Sequence, residues 1–515
     1  MKYLEIKKSV PLCGKITAQG SKNSSLALLV ASCLADEEVV IKNVPNILDV
    51  EITANLLTST GATVHFSDNT LRIDPSTICN SIVNSSKSQS VRVAYYFLGA
   101  LLAKHKRVAV GYPGGDKIGP RPIDQHIKGM KSLGAKFTFY DDYYTVNADK
   151  LIGNEIYFDV ITSGATINVM MAAVLARGKT VIRNAARDPE IVDLAVFLNK
   201  MGACITGAGT DTIKITGVER LRGCTHECIP DRIIAGSCIM AAGATRGSIE
   251  IAGCESNHLA ICIDKLTEIG LDITVKDDLI VASCDGILRS SNITTGMYPM
   301  FATDLQQPAT VLLLKSNGKS TITEYVYPRR FNHCRQLNRM GADISIYNNT
   351  AYIEGVKELR GADVVASDIR SGVSLVLAGL CATGTTRVFG VEHLERGFEN
   401  IVSTFNSLGA NIRVVDTDER DERDERDERG ERDEFVDRIR RGERSERDER
   451  DERDEFVDRI RHGERGECDE RSELSERNIH EEFDGIGGRN ERRERSEFSR
   501  RDEREERYDE MKLRA

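Results

Sequence analysis

Apolar and polar positions along this chain alternate between two periods in a fixed order. A stretch of helical period ends at a glycine, and strict alternation of strand type follows at once: LLTSTGATVHFSDNTLRI, MKSLGAKFTFYDDYYTV, LNKMGACITGAGTDTIKI, LTEIGLDITVKDDLIVA, LNRMGADISIYNNTAYI and FNSLGANIRVV. The aligned glycines are Gly61, Gly134, Gly202, Gly270, Gly341 and Gly409, spaced by 73, 68, 68, 71 and 68 residues. Each is expected to close a helix in the left-handed conformation, where a residue without Cβ costs least. Five copies then pass through an Asp, Asn or Gly turn into a second strand.

A second element also occurs six times, as LALLVASCLADEEVVI, LGALLAKHKRVAV, MAAVLARGKTVI, IMAAGATRGSIEI, ATVLLLKSNGKSTI and LVLAGLCATGTTRV. These helices are apolar nearly all round, which predicts burial. Six units of about 70 residues, each with two helices and about four strands, predict an α/β protein of two lobes with three units apiece. The crevice between lobes is the expected ligand site.

Composition changes this picture at one end. Residues 416–515 are about two-thirds Asp, Glu, Arg and Lys, too few apolar groups to offset the entropy of ordering a backbone. The first 415 residues hold 40 acidic and 43 basic side chains, so the net charge of −10 belongs to the tail. Within 417–515, DER triplets surround a 21-residue repeat, FVDRIRRGER from Phe435 and FVDRIRHGER from Phe456. The expectation is a disordered or helical appendage of low complexity with no assigned partner. The 13 cysteines form no CxxC pair or Cys/His cluster, so no metal or other cofactor is expected, and free thiols suit a reducing cytoplasm. No apolar run reaches membrane-spanning length, and no basic stripe with interleaved aromatics marks a nucleic-acid surface.

Four segments carry candidate chemistry. GYPGGDKIGPRPIDQHI, 111–127, is a glycine- and proline-rich loop bearing Asp116, Lys117, Arg121, Asp124 and His126. GSKNSS, 20–25, puts Lys22 and Asn23 at the start of a buried helix, a plausible cap and also a reasonable anion site. Arg92, Arg121, Arg330, Arg370 and Arg396 supply guanidinium forks suited to carboxylate and phosphate. MFATDLQQP, 300–308, contains Asp304 just before a helix.

From about residue 1 to 416, the six units and these motifs resemble the enolpyruvyl transferase family, and within it the UDP-N-acetylglucosamine 1-carboxyvinyltransferases of peptidoglycan synthesis. The resemblance implies an inside-out α/β barrel in each lobe, 1–20 with 230–416 forming one and 21–229 the other, with 111–127 as a lid. It implies a cytoplasmic enzyme whose small-molecule substrates are phosphoenolpyruvate and UDP-N-acetylglucosamine. Lys22, Asn23 and the arginines would hold phosphoenolpyruvate. Thr162, Ser163 and Val326 would line the nucleotide-sugar site, and Pro122, Ile123, Asp124 and Gln125 would also bind substrate. Asp304 would take the proton of the attacking 3-hydroxyl, and Asp116 would give one to C3. Most members carry cysteine at the position of Asp116, and aspartate there removes the thiolate that fosfomycin alkylates. Burial and a bound anion would raise the carboxyl pKa, whereas Lys117 and Arg121 would lower it. Val160 stands where many relatives have lysine, which bears on the identity of the sugar. Three further readings share this pattern: the shikimate-pathway relative, a paralogue acting on another nucleotide sugar, and a non-catalytic nucleotide-sugar sensor. The loop and the TDLQQP segment argue against the first.

Overall fold

The computed structural model describes residues 2–83, 91–112, 114–115, 118–119 and 122–416. Asp116, Lys117, Arg121 and the tail from 417 onward lie outside the described residues. The six capping glycines take the conformation their position predicted, with φ between +88° and +116°. The helices they close are Leu48–Ser59, Asp124–Ser132, Pro189–Lys200, Ala260–Ile269, Asn332–Arg339 and Ile401–Ser407. The apolar set forms a second group: Lys22–Ala31, Tyr96–His105, Ser163–Ala173, Arg232–Thr245, Gln306–Leu314 and Ile369–Cys381. All residues of Ile369–Cys381 are buried, as its all-round apolar pattern requires.

Among the described residues there are six four-stranded sheets. In the sheet ordered Glu155–Tyr157, Lys179–Arg183, Thr212–Thr216, Cys204–Thr206, the hairpin of the repeat packs antiparallel beside the strand that follows the buried helix, and a short parallel strand flanks it. The sixth sequence copy, FNSLGANIRVV, has no return strand of its own. The chain start supplies it. Lys2–Lys7 runs antiparallel between Asn411–Asp416 and Thr385–Phe389, closing the sixth sheet with residues at least 378 positions away. The next strand, Cys13–Thr17, pairs in parallel with Ser248–Ala252 and flanks a second sheet.

Buried apolar side chains fall into two clusters, one from Leu26 to Cys228 and one from Leu4 to Ala18 and Ile233 to Ile412. We take each cluster with its sheets as one lobe. At about 1.5–3 kcal/mol for each fully buried Leu, Ile, Phe or Met, these clusters are the main favourable contribution to the fold. The chain passes between them twice, and the two passages are tied together. Ser21 N donates to Ile229 O at 2.7 Å, Asp231 N to Gln19 O at 2.8 Å, and Lys22 N to the Asp231 carboxylate at 3.1 Å. Lys22 and Asn23 therefore enter their helix directly at the junction.

Candidate active site

Between the two cores lies a cleft of about 390 Å³. Lys22, Asn23, Arg92, Thr162 and Ser163 line it from one lobe, and Asp304, Val326, Arg330, Arg370 and Arg396 from the other; Pro122 stands at its wall. Residues up to 374 positions apart in sequence thus share one space. Lys22 and Arg370 stand in the first turns of buried helices and Arg92 in the 3₁₀ turn before one, whereas Arg330 lies in the turn before Asn332–Arg339 and Arg396 at the C-terminal cap of the short helix Val391–Glu395. Arg370 follows Asp368, whose carboxylate caps Ile369–Cys381 through the amides of Arg370 and Ser371.

Asp304 sits in a 3₁₀ turn, Thr303–Leu305, and its side chain does not cap the following helix. It accepts from Arg330 Nη1 at 2.6 Å and from Arg370 Nε at 3.2 Å. Burial pushes its carboxyl up, but Arg330 and Arg370, with Arg92 behind them, outweigh that and hold it well below the usual carboxylate range. The side chain keeps 28 % of its surface open to the cleft. Arg370 is 3 % exposed, and among the described residues its Nη1 has no hydrogen-bond partner. A buried guanidinium nitrogen left in that state costs on the order of 1–3 kcal/mol, which an anion in the cleft would recover.

On the facing wall, Lys22 Nζ lies 2.7 Å from Asp49 Oδ2, and Arg396 grips the same carboxylate through Nε at 2.8 Å and Nη2 at 3.4 Å. Burial lowers the Lys22 pKa against the opposing pull of Asp49, and Arg370 and Arg396 add to the lowering. Five cations therefore meet one small volume with Asp49 and Asp304 spaced among them. The arrangement suits a ligand with two separate anionic groups.

A model of the EPSP synthase family (3-phosphoshikimate 1-carboxyvinyltransferase) matches residues 6–405. The chain belongs to this family. It is 45% identical over 401 residues to UDP-N-acetylglucosamine 1-carboxyvinyltransferase 2 of Listeria monocytogenes, covering 78% of this chain and 95% of that protein. To the UDP-N-acetylglucosamine 1-carboxyvinyltransferase of Clostridium botulinum it is 44% identical over 414 residues, covering 80% and 99%. The crystal structure of the enolpyruvyl transferase NikO from Streptomyces tendae shares the fold, with a TM-score of 0.75, 23% identity, and coverage of 81% of this chain and 99% of that one.

Not every residue expected at the site of this enolpyruvyl transferase lines its cleft. Asp124 and Gln125 open the helix Asp124–Ser132, where Gln125 Nε2 donates to Asp124 at 2.7 Å and to Asp159 at 3.0 Å. From this segment Pro122 and His126 line the cleft, and Ile123, Asp124 and Gln125 do not. Val160 is 58 % exposed beside Ile161, which does line the cleft. Asp116 and Arg121 fall outside the described residues.

Several lining residues carried no sequence signal. Asp49 looks like an ordinary acid in the first turn of a helix, and Arg232 like a residue following a cap. Arg232 reaches from one lobe to Glu190 in the other at 3.2 Å and to Asp188 at 3.6 Å, with its guanidinium 5.3 Å from the Tyr298 ring centre. Burial and neighbouring Glu190 hold the Asp188 carboxyl above its ordinary range despite Arg232 and a hydrogen bond from Ser163 at 2.9 Å. Among the described residues, Arg232 on one flank and Arg396 on the other link the lobes ionically at the cleft. Among the described residues, no cluster of three His, Cys, Asp or Glu side chains stands at metal-binding geometry, and no helix is long and apolar enough to cross a membrane.

Proposed function

We propose that this chain transfers the enolpyruvyl group of phosphoenolpyruvate to the 3-hydroxyl of UDP-N-acetylglucosamine, releasing phosphate, in the cytoplasm as the first committed step of peptidoglycan synthesis. The observation that carries this reading is the convergence of Lys22, Arg92, Arg330, Arg370 and Arg396 around a carboxylate that lies open to the cleft. Phosphoenolpyruvate brings a carboxylate and a phosphate, and both can be held by guanidinium forks and the Lys22 ammonium. The same cations stabilise charge that develops as the hydroxyl adds to C2 and as phosphate leaves.

Proton handling is divided between two carboxyl groups. Asp304 accepts the hydroxyl proton, a role open to it once an anion draws Arg330 and Arg370 away and its basicity returns toward the ordinary range. The acid toward C3 is Asp116, on the strength of its place in the loop motif GYPGGDKIGPRPID. Thr162, Ser163, Val326 and Pro122 border the space left for the nucleotide sugar. Val160 keeps a second acceptor in view, because a neutral side chain there favours a different nucleotide sugar over one clamped by lysine.

The test is phosphate release from phosphoenolpyruvate with UDP-N-acetylglucosamine as acceptor. Asp116→Asn is expected to lose at least a hundredfold in rate, and Asp116→Cys to retain part of it. Release seen only with another nucleotide sugar would select the second reading. Binding of UDP-N-acetylglucosamine without release would leave a sensor. Prolonged exposure to fosfomycin is expected to leave the intact enzyme active while inactivating Asp116→Cys. Time-dependent loss of the aspartate form would overturn that expectation.

A further inference from the structure

His126 is one of the charged and polar residues of the loop motif for which the reaction above has no use. Its ring is 5 % exposed and lines the cleft. The proton arrangement on that ring is settled by its neighbours. Asn168, inside the helix Ser163–Ala173, accepts the Gly99 amide at its Oδ1, 2.6 Å away. Its Nδ2 is therefore the side that meets Tyr95 O at 2.8 Å and His126 Nδ1 at 3.0 Å. An amide nitrogen only donates, so Nδ1 of His126 must present a lone pair. The neutral ring then carries its proton on Nε2.

Burial, with the Arg92 charge nearby, pushes the His126 pKa down to about 3, so the ring stays neutral through the working pH range. The Tyr95 ring stands edge-on at 4.6 Å. Among the described residues, Nε2 itself has no hydrogen-bond partner. What it faces is the space where Gly164 lacks a side chain: a Cβ there would come 3.2 Å from His126 Nε2 and 2.9 Å from Tyr95 Oη. Gly164 lies in the first turn of its helix, one residue after Ser163, and also lines the cleft. The Nε2 of this largely buried ring, facing the cleft beside Gly164 and without a partner among the described residues, is a donor awaiting an acceptor.

We propose that His126 binds substrate as a donor, giving its Nε2 proton to an acceptor oxygen of the nucleotide sugar, and that Asn168 is the positioning residue that fixes the tautomer. The proposal rests on the nucleotide-sugar reading above. A neutral donor serves here better than an imidazolium, since Arg92 already supplies positive charge and would oppose a second cation. Glycine at 164 keeps this side of the ring clear, because a methyl group there would crowd both Tyr95 Oη and the acceptor.

Calorimetric titration with UDP and with UDP-N-acetylglucosamine tests the idea without turnover. His126→Phe and Gly164→Ala are each expected to weaken UDP-N-acetylglucosamine at least tenfold. His126→Gln, whose amide nitrogen reaches the place of Nε2, is expected to stay within about threefold of the unaltered enzyme. A matching loss with UDP assigns the acceptor to a phosphoryl oxygen, and a loss confined to the sugar nucleotide assigns it to the sugar. Nitrogen-15 spectra of the unaltered enzyme are expected to show the Nε2–H tautomer unchanged between pH 5 and 8. Unaltered affinity in His126→Phe, or an Nδ1–H tautomer, would overturn the proposal. If the intact enzyme binds neither ligand, the nucleotide-sugar reading itself fails.

Discussion

Replacing Lys22 with alanine is expected to lower kcat by roughly 10²–10³, the usual consequence of removing one preorganised group that stabilises developing charge. The reason is its placement: an ammonium 8 % exposed, on the first residue of a buried helix, with one carboxylate partner and two arginines in its field. Burial has already weakened its hold on the proton, so an incoming phosphate or carboxylate gains more from it than from an exposed lysine. The fold should suffer less than turnover. Asp49 keeps the two-point grip of Arg396 when Lys22 is gone, so the carboxylate is not left bare. Steady-state kinetics and thermal melting check both halves: a large fall in kcat, a melting temperature lower by a few degrees, and UDP-N-acetylglucosamine affinity within about threefold. Lys22→Arg is not expected to rescue, because the larger planar group has no room at so closed a position. Retention of more than a tenth of the turnover in Lys22→Ala would remove the residue from the phosphoenolpyruvate clamp.

The helix–glycine–strand period was legible because backbone chemistry enforces it locally. A left-handed cap wants glycine, a strand wants alternation, and a helix buried on all sides wants apolar residues throughout. These demands recur in every unit and survive in the letters of each. What the letters hid was the role of the chain start. Nothing in KYLEIK says that it will complete a sheet with Thr385–Phe389 and Asn411–Asp416, since a strand's partner is chosen by the closing of the whole lobe. The site divides in the same way. Lys22, Asn23 and Asp304 stand in distinctive short motifs. Asp49, Asp188, Glu190 and Arg232 do not, because their work is pairing across the cleft, and an acid in a first helical turn reads equally well as an ordinary end of a helix. Gln125 lies in the most distinctive loop, and its side-chain amide donates to Asp124 and Asp159.

Asp304→Asn should separate binding from chemistry. The amide keeps an acceptor for only one of Arg330 and Arg370, which bind different oxygens of Asp304, and it removes the negative charge that occupies them, so phosphoenolpyruvate no longer competes with a resident anion. Its dissociation constant is expected to fall by several-fold to about tenfold. Turnover moves the other way, down by roughly 10²–10⁴, because the group proposed to take the hydroxyl proton can no longer accept one. The pH dependence follows from the direction of the carboxyl shift. A carboxylate held below its unfolded value of about 3.9 contributes stability that is fully present above that value and is lost as pH falls through the depressed native pKa. The stability difference between the parent and Asp304→Asn is therefore expected to be constant from about pH 5 to 8 and to shrink only at strongly acid pH. Equilibrium titration with phosphoenolpyruvate, phosphate-release kinetics and unfolding curves across this range measure the three effects. Weaker phosphoenolpyruvate binding by the asparagine form would show that Asp304 organises the arginines more than it competes for them, and unimpaired phosphate release would take the proton-acceptor role away from it.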